Sequence, residues 1–136
     1  MSSVVNDDSF AARVAYAPHI KTMLAKMGDD LLPYLISLRE KDSDKFRMGP
    51  LKFIIDGSIQ GRTARMNWPG YCCGDPNGVW IWDRQELREA MLPFPRAGFQ
   101  LAMHANGDEA IDTALDLFEN ILDAHPRGDH RHRLGA

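Results

Sequence analysis

Hydrophobic and polar residues follow one another along the chain in a pattern that predicts short strands separated by helices. Apolar runs with the composition of strands occupy residues 13–20, 51–58 and 99–104. Each run is short and ends at a proline, a glycine or a polar turn. Between the runs lie segments whose apolar residues recur at helical spacing. This alternation is typical of parallel strands joined by helical crossovers, so the pattern predicts an α/β fold.

The helical segments carry recognisable start and stop signals. Gly28 and Pro33 interrupt the apolar spacing of residues 20–42, which predicts two helices joined near residues 28–30. Asp83 is a favourable N-cap for a third helix, with Glu86 at capping-box spacing. The last predicted helix, 108–125, begins with acidic residues at its positive end. Its apolar stripe is predicted to consist of Ile111, Ala114, Leu115, Phe118, Ile121 and Leu122.

The segment between the second strand and the third helix is predicted to be a long loop. Residues 59–82 are rich in glycine and proline, and Asp75-Pro76-Asn77-Gly78 is a strong turn signal. A connection of this length inside a compact domain is usually functional or disordered.

Length and charge narrow the classes of protein that the chain could represent. Its 136 residues suffice for one domain, and its net charge of −3 gives no electrostatic support for nucleic-acid binding. No apolar stretch approaches the ~18 residues that a membrane helix needs. The N-terminal segment lacks the features of a secretory signal, and Cys72 and Cys73 are neighbours that cannot frame a disulfide scaffold. We therefore predict a cytoplasmic protein that binds neither nucleic acid nor membrane.

His104 stands where the third apolar run ends and the last helix is about to begin. In parallel α/β sheets, functional groups gather at the carboxyl ends of strands. A neutral imidazole there can bind a divalent metal. The alternative is a packed corner histidine whose ring bonds a backbone carbonyl. The spacing of the residues leaves both interpretations open.

Lys52 interrupts the apolar run at residues 50–56. A lysine in a buried strand must be paired or chemically altered. One interpretation has the side chain snorkel, so that its amine reaches solvent, or pairs the amine with Asp56 or Asp108. The other has the amine carbamylated by carbon dioxide, which turns it into an anionic oxygen ligand.

The chain contains two longer motifs, LKFIIDGSIQGRTA at 51–64 and GFQLAMHANGDEAIDTALDLFE at 98–119, followed by RHR at 131–133. Together they resemble the central part of the amidohydrolase family. This family comprises metal-dependent hydrolases of carbon–nitrogen bonds other than peptide bonds. The similarity is greatest to the branch of N-substituted formamide deformylases, and it covers about residues 48–134. Two motifs in the right order make the resemblance specific.

The resemblance implies a (β/α)8 barrel with one or two divalent metals, usually zinc, and a small amide or formamide substrate. His104 matches a metal-ligand histidine, and Lys52 matches a lysine that bridges two metals, carboxylated in many members. Asp108 matches the aspartate of the motif that contains His104, and it is predicted to be catalytic together with His104 and Lys52. The residues after Lys52 match the segment that shapes the pocket, and three of them are predicted to bind substrate: Asp56, Ser58 and Arg62.

The chain also departs from the family pattern. The family's His-x-His pair and late aspartate have no counterpart, and Ala136 stands where a further ligand histidine is expected. We therefore expect residues 1–136 to form a single, incomplete barrel segment of three or four strands, inactive unless another chain supplies the missing strands. The alternative is a non-catalytic, self-associating α/β chain. A third interpretation is a metal-binding tail formed by His125, His130 and His132. The arginines interspersed among these histidines instead favour a solvated basic end.

Overall fold

A computed structural model describes residues 2–135, apart from the side chains of Ser2, Ser3 and Cys73. The Ala136 position, to which the family pattern assigns a ligand, lies outside the described residues. The chain divides into two compact units, one extending to Leu51 and the other beginning at Lys52. None of the helices within the described residues is long and apolar enough to cross a membrane.

The first unit pairs two short strands and contains two consecutive helices. Its elements are, in order, α1 (Ser2–Val5), β1 (Val14–Tyr16), α2 (Ile20–Met27), a 3-10 turn (Gly28–Asp30), α3 (Leu31–Arg39) and β2 (Phe46–Met48). The strands are parallel, with Val14 opposite Phe46 and Tyr16 opposite Met48. The predicted break between two helices is confirmed, since α2 ends at Met27 and α3 begins at Leu31. The break occurs at Gly28, whose positive φ of 53° is a conformation that favours glycine.

The second unit carries a three-stranded sheet and the long loop. Its elements are β3 (Leu51–Ile54), which starts at the unit boundary, a 3-10 turn (Cys72–Gly74), α4 (Arg84–Met91), α5 (Pro93–Arg96), β4 (Leu101–His104), α6 (Asp108–Ala124) and β5 (Arg133–Gly135). The strand order is β3-β4-β5. β4 and β5 are parallel, with Ala102 opposite Arg133 and His104 opposite Gly135. The α/β class with parallel strands is confirmed.

Two strands escaped prediction because their sequences look like polar loops. β2 and β5 contain three residues each, and the central residue of β2, Arg47, is exposed. β5 includes Arg133 in the basic segment that we expected to be a solvated end. Strands this short carry too few residues for a period of two to show.

The core of the second unit is formed by one face of its strands and one face of α6. Phe53 and Leu101 are fully buried in β3 and β4. In α6 the predicted stripe is rotated: Leu115 is 53% exposed, whereas Leu117 and Thr113 are buried. The buried face therefore follows residues 110, 113, 114, 117, 118 and 121. The buried face of α6 was predicted wrongly because Leu115 is apolar but exposed, whereas Thr113 is polar but buried.

Candidate active site

His104 and Lys52 lie on the same face of the sheet. β3 and β4 are neighbours, and the backbone N–H of Ile55 donates to the carbonyl of His104 at 3.1 Å. Side chains alternate between the two faces of a strand. Phe53 in β3 and Met103 in β4 are buried, whereas Lys52 and His104, at the alternate positions, are partly exposed. The structure thus brings the two predicted metal ligands to the less buried face of adjacent strands.

Asp56 is a buried carboxylate that joins the ends of β3 and β4. Its side chain is 1% exposed. One oxygen accepts the backbone N–H of Asn106 at 3.0 Å, and the other accepts those of Arg65 at 3.0 Å and Gly107 at 2.9 Å. Hydrogen bonds to an ionised carboxylate are stronger than neutral ones. Asp56 therefore fixes the loops that follow both strands, while its predicted contact with substrate stays a prediction.

The side chain of Asn106 links the loop after β3 to the imidazole of His104. Its Nδ2 donates to the carbonyl oxygen of Gly57 at 2.7 Å and lies 3.0 Å from Nε2 of His104. If His104 were a packed corner residue, its ring was predicted to bond a backbone carbonyl. The observed partner of Nε2 is instead a side-chain amide.

Ser58 and Arg62 belong to a tight loop after β3. The hydroxyl of Ser58 accepts the N–H of Gly61 at 3.1 Å, and the N–H of Ser58 donates to the hydroxyl of Thr63 at 2.9 Å. The guanidinium of Arg62 forms an exposed ion pair with Asp75. Both side chains thus have partners within the second unit, and their predicted role in substrate binding stays a prediction.

Asp108 anchors the long loop to the first turn of α6. Its Oδ1 accepts the backbone N–H of Asn67 at 2.7 Å and that of Glu109 at 3.0 Å. The side chain of Asn67 also donates to Asp112 at 2.9 Å. Asp108 is exposed at the helix start. The catalytic role predicted for it stays a prediction, and the observed bonds give it a structural one.

Arg65 is a side-chain link between the long loop and α6 that no sequence pattern singled out. Its guanidinium forms an ion pair with Glu109 at 2.7 Å and donates to the carbonyl of Gly78 at 3.0 Å. It also lies over the ring of Trp80, at 5.1 Å from the ring centroid, and Arg84 lies at the same distance from that ring. Planar guanidinium groups favour such combined stacking and bidentate contacts.

The described residues do not by themselves fit a metal site. A zinc site needs three or four protein ligands. Within residues 2–135, no group of three or more histidine, cysteine, aspartate or glutamate side chains is placed to hold a metal. Over the same range, neither Asp56 nor Asp108 forms an ion pair with Lys52. Lys52 and His104 therefore remain predicted ligands, and any metal they bind needs further donors.

The C-terminal histidines pack the last strand onto the unit. Nδ1 of His132 accepts the backbone N–H of Leu101 at 3.1 Å, and its ring stacks on Phe118 at 5.4 Å. Burial of this ring, together with the charges of His130 and Arg127, lowers the pKa of His132 from 6.5 to about 4. Because Nδ1 of His132 already accepts a hydrogen bond, these contacts do not support the metal-binding tail.

Comparison with known proteins places the chain among amidohydrolases. The model of the amidohydrolase family matches residues 5–135. Protein LONG AFTER FAR-RED 3 of Arabidopsis thaliana is 31% identical over 93 residues, which are 68% of this chain and 16% of that protein. YtcJ of Bacillus subtilis strain 168, provisionally named an amidohydrolase, is 32% identical over 84 residues, which are 62% of this chain and 15% of that protein.

Two solved structures share the fold. An uncharacterised metal-dependent hydrolase from Pyrococcus horikoshii OT3 matches with a TM-score of 0.60 and 25% identity, over 80% of this chain and 26% of that one. Another from Pyrococcus furiosus matches with a TM-score of 0.59 and 23% identity, over 89% of this chain and 28% of that one. The chain thus spans about a sixth of its sequence relatives and about a quarter of these structures. With its family match over residues 5–135, the chain belongs to the amidohydrolase family.

Proposed function

We propose that this chain forms the part of a metal-dependent hydrolase barrel that presents His104 and Lys52 to the active site. The reaction class is hydrolysis of carbon–nitrogen bonds other than peptide bonds, in amide or formamide substrates. The observation that carries the proposal is the placement of these two side chains on one face of β3 and β4, with His104 at the end where β4 leads into α6. Family membership and the names of the two metal-dependent hydrolases support it.

The residues of this chain have distinct parts in that proposal. His104 offers a metal-binding imidazole, and Lys52 offers a ligand after carboxylation. Asp56 holds the loops behind both strands through backbone N–H groups, so the strand ends keep their separation. Because the described residues lack a full ligand set, the divalent metal, zinc in our proposal, requires donors from further strands. On this basis the 136-residue chain is inactive alone.

A graft tests this proposal. The part of YtcJ that aligns with this chain is replaced by the corresponding residues of this chain, and the folded hybrid is compared with its His104→Gln variant and with His125→Gln as the matched control. We expect the hybrid and the control to retain metal, measured by mass spectrometry, and to hydrolyse members of a panel of N-formyl and N-acyl amines. We expect His104→Gln to lose both. Equal metal content and turnover in all three proteins would refute the assignment of His104.

The second candidate function is a non-catalytic, self-associating α/β protein. It is favoured by the absence, within residues 2–135, of a cluster of side chains able to hold a metal. An edge strand with unpaired backbone groups invites pairing with another copy. Light scattering of the isolated chain, together with the activity of the YtcJ hybrid, separates the two candidates. A stable oligomer of the isolated chain and a hybrid without turnover support the second candidate. A monomeric chain and an active hybrid support the first.

A further inference from the structure

The contacts of Asn106 determine which nitrogen of His104 carries the proton. Nδ2 of Asn106 lies 2.7 Å from the carbonyl oxygen of Gly57. A carbonyl oxygen can only accept, so the atom facing it must be the amide nitrogen of Asn106 and not its oxygen. The reverse orientation would place two acceptor oxygens against each other. Gly57 therefore fixes the orientation of the Asn106 amide.

The same amide nitrogen faces the imidazole. It lies 3.0 Å from Nε2 of His104. An amide nitrogen donates and does not accept, so Nε2 must present its lone pair. A neutral imidazole with an unprotonated Nε2 carries its proton on Nδ1.

The surroundings of Asn106 leave its side chain little freedom to turn away. Its backbone N–H is held by the buried carboxylate of Asp56 at 3.0 Å. The carbonyl that it bonds is also fixed, since the N–H of Gly57 donates to the carbonyl of Thr63 at 3.1 Å. A Cβ on Gly57 would overlap the Thr63 side chain, so only glycine allows this close approach.

We propose that Asn106 is a positioning residue that holds His104 as the Nδ1–H tautomer, with the Nε2 lone pair occupied by the Asn106 amide. Any role of this tautomer in catalysis rests on the proposed function. The tautomer itself does not depend on that function, because it follows from the contacts of Asn106 alone. Nε2 can donate an electron pair to another partner only after the Asn106 amide has moved away. Nδ1 can do so only after it has lost its proton.

Nitrogen NMR of the ¹⁵N-labelled 136-residue chain tests the proposal, at about pH 8.5, where an ordinary imidazole is neutral. In the wild type we expect His104 to show a protonated, pyrrole-type Nδ1 and a bare, pyridine-type Nε2. Asn106→Asp places an acceptor carboxylate beside the ring, so it should invert the tautomer to Nε2–H. Asn106→Ala should give a mixture of the two.

The matched control is Asn120→Ala, because Asn120 is exposed on α6 and its amide donates to the carbonyl of Asp116. It should leave the His104 spectrum unchanged. A merely structural role for Asn106 would alter stability without inverting the tautomer. If the Asn106 variants fail to fold, the wild-type spectrum still decides, since an Nε2–H signal in it overturns the proposal. An Nδ1–H signal together with an inactive YtcJ hybrid would uphold the positioning contact and refute only the proposed function.

Discussion

The carboxylate of Asp56 accepts the backbone N–H of Gly107 at 2.9 Å, although 51 positions separate the two residues in sequence. This bond ties the end of β3 to the start of α6, next to the histidine that ends β4. It also places a negative charge at the positive end of a 17-residue helix, where such a charge is stabilising. The strand-to-helix corner that carries His104 is therefore held by a residue that lies just beyond the end of the neighbouring strand.

Replacing Asp56 with asparagine should destabilise the second unit. The variant keeps one oxygen acceptor, but its amide nitrogen would face backbone N–H groups that also donate, leaving at least one buried donor without a partner. We expect a loss of about 1–3 kcal/mol in the free energy of unfolding. Urea titration followed by tryptophan fluorescence reports on this unit, because all three tryptophans lie beyond Lys52. Asp123→Asn, at an exposed position of α6, should change stability little. Equal losses in both variants would contradict the assigned role.

Replacing Gly107 with alanine should disrupt the same corner for a steric reason. A Cβ on Gly107 would overlap the carbonyl of Arg65, whereas a Cβ on Gly128 meets nothing within 4 Å. Crowding of this kind costs about 1–3 kcal/mol or more. Thermal unfolding should therefore show a clearly lower Tm for Gly107→Ala and little change for Gly128→Ala. An unchanged Tm for Gly107→Ala would mean that the two loops are farther apart than the structure shows.

Substitution of Arg65 by lysine should release the long loop from α6. Lysine keeps the charge but loses the simultaneous contacts with Glu109, the carbonyl of Gly78 and the ring of Trp80. We expect faster cleavage within residues 66–78 in limited proteolysis, at unchanged global stability within about 1 kcal/mol. Arg62→Lys is the control, because Arg62 is exposed and its pair with Asp75 lies within the loop itself. Similar cleavage rates for both variants would show that Arg65 does not anchor the loop.

The docking of β5 should weaken in acid because of His132. Its pKa is about 4 in the folded chain against 6.5 for an ordinary histidine, so the unfolded state binds more protons between those values. Stability from this group is therefore complete above about pH 6.5 and is lost as the pH falls toward about 4. The ring is half exposed, so solvent screening limits the effect to about 1 kcal/mol. Wild type should lose more stability over this range than His132→Gln.

The control for the acid effect is His19→Gln, which removes a histidine from the first unit. Urea titrations at several pH values should give it the same pH dependence as the wild type. An identical slope for the wild type and His132→Gln would show that the ring is not protected from protonation.

The order of the principal elements was predictable from the sequence because it rests on local patterns. The break at Gly28, the N-cap at Asp83 and the strand ending at His104 are each encoded within a few neighbouring residues. Asp83 shows this directly, since its side chain accepts the N–H groups of Gln85 and Glu86. The short strand β5 was not predictable, because its formation depends on pairing with β4.

The sequence by itself determined the family motifs, the α/β class and the identity of His104 and Lys52 as candidate ligands. Only the tertiary structure placed those two side chains on one face and gave His104 its partner, Asn106. It also showed that Asp56 and Arg65 act on backbone and side chains about 10 to 50 positions away. Sequence patterns report the periodicity of one segment at a time. Hydrogen bonds between segments depend on how the strands align, and that alignment is fixed only when the chain folds.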